Sequence, residues 1–285
     1  MRPVRIVRLL GMALLCCTLT ACDTAQLKLE VKSLISRFVR AVAEPLVSDL
    51  DEGKLAMRDR EWQRAEMHLE RFLRTATEPE ERWEAWQKLI EATERGGQDR
   101  RWINEYLETM LVEFRGNPGR QQIILRYMAE NQEAARDYDR AIASWTQLVS
   151  LPGLLAEQRL DIYKRIGQLQ MRNKQLQGAE GTLHECLSLP LPDYRKAECY
   201  YDLAELSVLR DELDEGAATL NQIQDMDDVP DAVRAKATFL LADIMQQKRN
   251  YAEALKLFES VRDAYPNYLA VDARIDFLKK HSKNK

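Results

Sequence analysis

Apolar residues recur along this chain at helical spacing, and the pattern is clearest over residues 250–266, NYAEALKLFESVRDAYP. Tyr251, Ala254, Phe258 and Val261 lie three, four and three residues apart, which places them on one stripe of a helix. Ala254 is small enough to let a second helix approach, and Phe258 fills the space beside it. Pro266 ends the helix, since it lacks an N–H and blocks the helical conformation of the residue before it. Residues 235–247, AKATFLLADIMQQ, form a second amphipathic segment, separated from the first by the polar break Lys248, Arg249 and Asn250. The pattern predicts a helical hairpin with a small-residue crossing point.

The same second-helix stripe recurs upstream as Leu213, Gly216, Leu220 and Ile223, then Leu176, Ala179, Leu183 and Cys186. Before these come Tyr138, Ala141, Trp145 and Leu148, and finally Trp62, Ala65, Leu69 and Phe72. The implied units start at residues 46, 122, 160, 197 and 235. The gap from 46 to 122 is twice the others, so a further unit is expected from residue 84. It carries Ile103, Leu107 and Met110, with Arg100 where the others have a bulky apolar residue. Pro45, Pro79, Pro118, Pro152, Pro190, Pro230 and Pro266 punctuate the chain at about the same period. No alternating Val/Ile/Thr run predicts a sheet.

The hairpin resembles the tetratricopeptide repeat (TPR), whose pattern is W-x2-L-G-x2-Y, then A-x3-F, then P. With Ala235 as position one, Leu241 and Ala242 take the Leu-Gly pair, Tyr251 the turn aromatic, Ala254 the small residue, Phe258 the aromatic and Pro266 the terminal proline. Thr238 and Met245 depart from the aromatic positions, while Gly53 and Gly167 fall on the glycine position. The resemblance implies an all-α, right-handed TPR-like α-solenoid of about six helix–turn–helix repeats over residues 46–266, with a 37–38-residue period and capping helices at both ends. The period exceeds the family's usual length. The extra residues, in SLPGLLAEQRL, SLPLPDYRKA and DMDDVPDAVRA, either lengthen each next first helix or add a loop. A C-terminal cap is expected over residues 267–285, with Val271, Ile275 and Leu278 inward and a basic tail.

The chain opens with Arg2, Arg5 and Arg8 before an apolar stretch too short to span a bilayer comfortably. It then reads Leu19-Thr20-Ala21-Cys22, which resembles the bacterial lipobox. The resemblance implies a signal peptide at residues 1–21 and acylation of Cys22, by palmitate among other chains, with two or more chains giving stable attachment. The protein would then be anchored to a membrane by lipid and face the periplasm. Asp23 resembles an inner-membrane retention signal, and the outer membrane remains an alternative. Residues 22–45 carry the stripe Leu27, Val31, Leu34, Ile35, Phe38 and Val42, read as a helix that caps the array or lies on the lipid surface.

Composition narrows the chemistry. The 285 residues carry 42 basic and 46 acidic side chains, without a concentrated basic stripe, which argues against nucleic acid. His68, His184 and His281 are too scattered for a metal site, and no nucleophile elbow, P-loop or dinucleotide fingerprint occurs. No enzyme activity, cofactor, metal or small-molecule substrate is expected. Beyond the leader and Cys22, only Cys186 and Cys199 remain, on helices expected to be neighbours. Two buried free thiols and a disulfide are both open.

Binding is what remains. In TPR arrays, positions two, five, six, nine and twelve of the first helices tend to face the concave groove. Here they give Lys88, Arg126, Lys164 and Arg165 as contacts for a partner's carboxylates, with Tyr127 among the groove residues beside them. Further along they give Tyr201 and Phe239 as anchors, with Asp202, Glu205 and Asp243 around them. Since surface charges of this kind add little to stability, neutralising them is expected to leave folding intact. The chaperone-tail carboxylate clamp of some TPR proteins needs Asn at position nine of its first repeat, and no repeat here has it. Trp83 and Trp86 are read as core or as an exposed contact. The expected function is a membrane-anchored scaffold of the bacterial cell envelope, holding an envelope protein or peptide in its groove and supporting complex assembly. The alternative is a holdase-like periplasmic accessory chaperone.

Overall fold

The computed structural model describes residues 48–282, with side chains to Lys280. The leader, Cys22, Asp23 and the helix expected before residue 46 lie outside the described residues, as does the tail after Ser282. Thirteen α-helices and no strands are found among the described residues. They are α1 (Asp49–Arg58), α2 (Trp62–Thr75), α3 (Pro79–Arg95), α4 (Arg100–Glu113), α5 (Pro118–Ala134), α6 (Tyr138–Ser150) and α7 (Ala156–Arg172). These are followed by α8 (Leu176–Ser188), α9 (Asp193–Leu209), α10 (Leu213–Asp225), α11 (Asp231–Gln247), α12 (Tyr251–Val261) and α13 (Tyr268–Ser282). The fold is all-α and TPR-like. None of these helices is long and apolar enough to cross a membrane.

The described residues divide into two compact units, 48–92 and 93–282. In the first, α1 and α2 pair as a hairpin. Gly53 makes this possible: a Cβ there would come within 2.8 Å of Leu69 Cγ, so only glycine lets the helices meet without a shift. Leu69 and Ala65 are fully buried as a result. Lys54 bridges to Glu84 at 2.6 Å, tying α1 to α3, and Trp86 is buried while Trp83 is partly so.

In the second unit the hairpins α5/α6, α7/α8, α9/α10 and α11/α12 follow one another, each touching the next through neighbouring helices. First helices also touch first helices, α7 to α9 and α9 to α11. This is the stacking that a solenoid requires, since no hairpin can hide its apolar stripe alone. The expected stripe residues Ala141, Leu148, Ala179, Leu183, Leu220, Ile223, Ala254 and Phe258 are all fully buried. Burying a Leu or Phe side chain contributes about 1.5–3 kcal/mol, so the recurring stripe is the main source of stability. Trp62, Arg100, Tyr138, Leu176, Leu213 and Tyr251 each open a second helix. The extra residues of the long period lengthen the first helices: α3, α5, α7, α9 and α11 each run 17 residues. At the end of the array, α13 lays Val271, Ile275 and Leu278 against Ala242, Ala254 and Phe258.

The hairpin turns share one geometry. Arg136, Lys174, Asp211 and Arg249 adopt the left-handed conformation, with φ between 60° and 64°. The following residue donates its N–H back to a carbonyl five residues earlier, as Asp137 does to Gln132 at 2.9 Å and Gln175 to Gln170 at 2.8 Å. This is the Schellman closure of a helix, at a site where glycine is usual. The charged residues here accept strain that a glycine would relieve.

Candidate functional site

A cavity of about 570 Å³ opens on the first helices of three successive hairpins. From α7 it is lined by Gln168, Met171 and Arg172, and from α11 by Leu240. The central helix α9 contributes Tyr201, Asp202 and Glu205, then Val208 and Leu209 one turn further on. Its size is that of a ligand pocket, and apolar walls with a few convergent polar groups are the usual composition of one.

Asp202 is the deepest of these residues, with 3% of its surface exposed. Gln168 Nε2 donates to Asp202 Oδ1 and Oδ2, at 3.2 and 3.1 Å. Tyr201 Oη donates to Glu205 Oε1 at 3.0 Å. Among the described residues, no ammonium or guanidinium hydrogen-bonds to either carboxylate. Burial pushes the Asp202 carboxyl up to about 7; Glu205 adds to the rise, while Gln168 and Lys164 oppose it. Burial also raises Glu205, against the pull of Tyr201 and Lys236. A carboxylate removed from water disfavours its charge unless a cation or several donors replace the water. Here the donors are a neutral amide and a phenol.

The cations expected in the groove have partners within the chain. Lys88, in the first unit, donates to Glu91 at 2.9 Å. Lys164 pairs with Glu198. Arg165 Nε donates to Glu133 Oε1 at 2.9 Å, and its Nη2 reaches Oε2. Glu133 is itself mostly buried and also accepts from Trp145 Nε1 at 2.5 Å. Arg126 lies over the Trp145 ring, 5.7 Å from its centroid. Burial and a hydrogen bond to Glu94 hold the Tyr127 phenol above its ordinary range. Neutralising Arg165 is therefore not free of structural cost, contrary to the expectation for a surface charge, because it withdraws a donor from a buried carboxylate.

Phe239 and Asp243 belong to a neighbouring cluster. Phe239 stacks on Tyr265 at 4.3 Å and meets Phe258 edge-on at 5.2 Å. Asp243 pairs with Arg274 of α13 at 3.2 Å. Of the expected contacts, Tyr201, Asp202 and Glu205 are thus brought together in the cavity, and the others are distributed around it or tied elsewhere. Met171 and Val208 were legible as position twelve of their repeats but were not singled out. Arg172 and Leu209, one residue on, had no signal in the repeat pattern. Cys186 and Cys199 form a disulfide linking α8 to α9, with Cα atoms 6.3 Å apart. Among the described residues, no group of three or more His, Cys, Asp or Glu could hold a metal ion.

Residues 236–268, covering most of α11 and all of α12, match the tetratricopeptide repeat family. The solved structure of RapI in its apo form aligns with a TM-score of 0.58 and 10% identity, over 84% of this chain and 72% of RapI. Residues 236–268 thus carry a tetratricopeptide-type repeat, and the likeness to RapI is one of fold. The TPR-type array is also similar to BtubC from P. vanneervenii, with a TM-score of 0.51 and 15% identity over 72% of this chain and 88% of BtubC. The C-terminal part of a TPR repeat-containing protein from Cytophaga hutchinsonii aligns with a TM-score of 0.50 and 11% identity, over 75% of this chain and 78% of that one. At these identities the likeness is one of fold. No curated protein matches the chain. A TPR-type array is a helical-repeat scaffold suited to protein–protein interaction.

Proposed function

We propose that this chain is a membrane-anchored scaffold of the bacterial cell envelope that holds a partner protein or peptide along its first helices. The observation that carries the reading is the cavity on α7, α9 and α11, which joins under-satisfied carboxylates to exposed apolar residues such as Leu209. Such a surface has what a side chain of a partner needs: apolar walls for affinity and polar groups for orientation. The anchor is the lipid on Cys22, read from Leu19-Thr20-Ala21-Cys22, and the scaffold faces the periplasm.

A photo-crosslinking amino acid at Leu209, compared with one at the exposed Glu185 of α8, tests the binding face in cells. Crosslinks to one or two envelope proteins from Leu209, and not from Glu185, are expected. Equal labelling from both positions removes the groove from the proposal, and a broad client set from Leu209 favours the holdase reading. The anchor is tested with Cys22→Ala: labelled palmitate incorporation and membrane sedimentation are both expected to be lost, and a variant that sediments unchanged disproves lipid tethering.

A further inference from the structure

The groove's chemistry specifies its guest further than the fold does. Asp202 has four lone-pair sites and receives the NH2 group of Gln168 alone, although only 3% of its surface is exposed to water. Glu205, one turn along the same helix, receives the Tyr201 hydroxyl. The nearby ammonium of Lys164 is turned to Glu198, and Arg172, at the exposed rim, bonds to neither carboxylate among the described residues. Two half-satisfied acids therefore face a cavity whose remaining walls, Met171, Val208, Leu209 and Leu240, are apolar. A guest with a long aliphatic stem and a cationic tip complements both parts. The stem removes apolar surface from water, and the tip supplies charge-assisted hydrogen bonds that the carboxylates lack.

We propose that this pocket receives a lysine or arginine side chain of a partner peptide, with Asp202 and Glu205 accepting the cation and the apolar wall covering its stem. The assignment rests on the scaffold reading above and adds the class of residue recognised. It gives the site the opposite charge preference to a carboxylate clamp.

The test is fluorescence anisotropy of the full chain with short labelled leucine- and alanine-based peptides bearing a central Lys, norleucine or Glu. The Lys peptide is expected to bind about tenfold or more tighter than the norleucine peptide, with Glu weakest. The Asp202→Asn, Glu205→Gln double variant is expected to lose that preference while its helicity by circular dichroism is unchanged. If this variant fails to fold, Leu209→Lys, at an exposed rim position, places a fixed cation at the mouth and is expected to abolish the Lys preference. Equal binding of Lys and norleucine peptides, a preference for Glu, or a preference that survives the variants overturns the inference but leaves peptide binding by the scaffold standing. No binding of any peptide at millimolar concentration also overturns it, and the Leu209 crosslinks then decide separately whether the groove holds a partner.

Discussion

Positions five and six of two consecutive repeats carry opposite chemistry. On α7 they are Lys164 and Arg165, each paired to an acid about one repeat away, Glu198 and Glu133. On α9 they are Tyr201 and Asp202, and the acid there meets only an amide. The first junction is electrostatically finished. Its charges neutralise each other across the stacked helices and leave little to offer a partner. The second is unfinished, because folding buried a carboxylate without giving it a cation. A site that binds through charge is more readily built from the second kind, since its ionised form still gains from a guest.

The largest expected effect that separates the two junctions is pH-dependent. The Asp202 carboxyl rises in the folded state to about 7 from an ordinary value of 3.8. A raised value means that folding favours the protonated acid. Its stabilisation is complete below the ordinary carboxylate range and is lost as pH rises through 7. The whole shift corresponds to at most about 4 kcal/mol, and water entry through the open cavity reduces it, so Asp202→Asn is expected to stabilise by about 1–3 kcal/mol at high pH. Urea unfolding at about pH 5 and about pH 8 measures this: the gain appears at the higher pH and shrinks at the lower. A gain of equal size at both would show that Asp202 is already ionised at pH 5 and is not held above the ordinary carboxylate range.

Next in size is a packing contrast. Gly167 on α7 and Ala204 on α9 take the same repeat position, but a Cβ at Gly167 would lie 2.9 Å from Leu183 Cδ2. Gly167→Ala should therefore destabilise by about 1–2 kcal/mol despite its better helix propensity. Ala204→Gly should cost about 1–2 kcal/mol, from helix propensity and the loss of a fully buried methyl. Thermal melts of the two variants check the order, and a stabilising Gly167→Ala would mean that Leu183 moves aside freely.

The exposed Lys164–Glu198 pair of the first junction should respond less. Lys164→Met removes a pair whose acid, Glu198, is half exposed, and is expected to cost less than about 1 kcal/mol, more at low salt than at high. A larger, salt-independent loss in chemical unfolding would show that this pair is structural. The smallest change expected is a gain of up to about 1 kcal/mol for Lys174→Gly, which relieves the left-handed turn between α7 and α8.

Much of the fold was legible from residues 250–266 outward, because small and bulky apolar positions report a local requirement of helix packing. Counting from the other units also pointed to a helix pair where the pattern is weakest, and α3 and α4 lie there. There Arg100 replaces the apolar turn residue by donating to Asn131 Oδ1 at 2.9 Å, while Asn131 donates to the Arg100 carbonyl and to Asn104 Oδ1. A partly buried polar clamp between α4 and α5 thus does what an aromatic contact does elsewhere. The candidate site was only half legible. Repeat position brought Tyr201, Asp202 and Glu205 together, but it could not show that Lys164 and Arg165 were already engaged.

Two polar seams were invisible as well. Arg159 and Arg234 donate to the carbonyls that end the preceding second helix, at Val149 and Leu151 and at Gln224 and Met226. Arg82 does the same in the first unit, at Leu73 and Ala76. On the turn edge, Asn173 and Gln175 reach Asp139, Arg210 reaches Glu180, and Lys248 reaches Asp214. These bonds place cations or donors at helix ends, where the exposed carbonyls and dipoles favour them.

The spacing of apolar residues by itself determined an all-helical chain of repeating hairpins, since each helix must present one greasy face whatever its neighbours are. Which charges would be neutralised, and which left waiting in a cavity, was decided only when residues some 32 to 34 apart in the chain came side by side. Periodicity records what each helix needs from any neighbour, whereas charge pairing depends on which particular side chain the neighbour supplies.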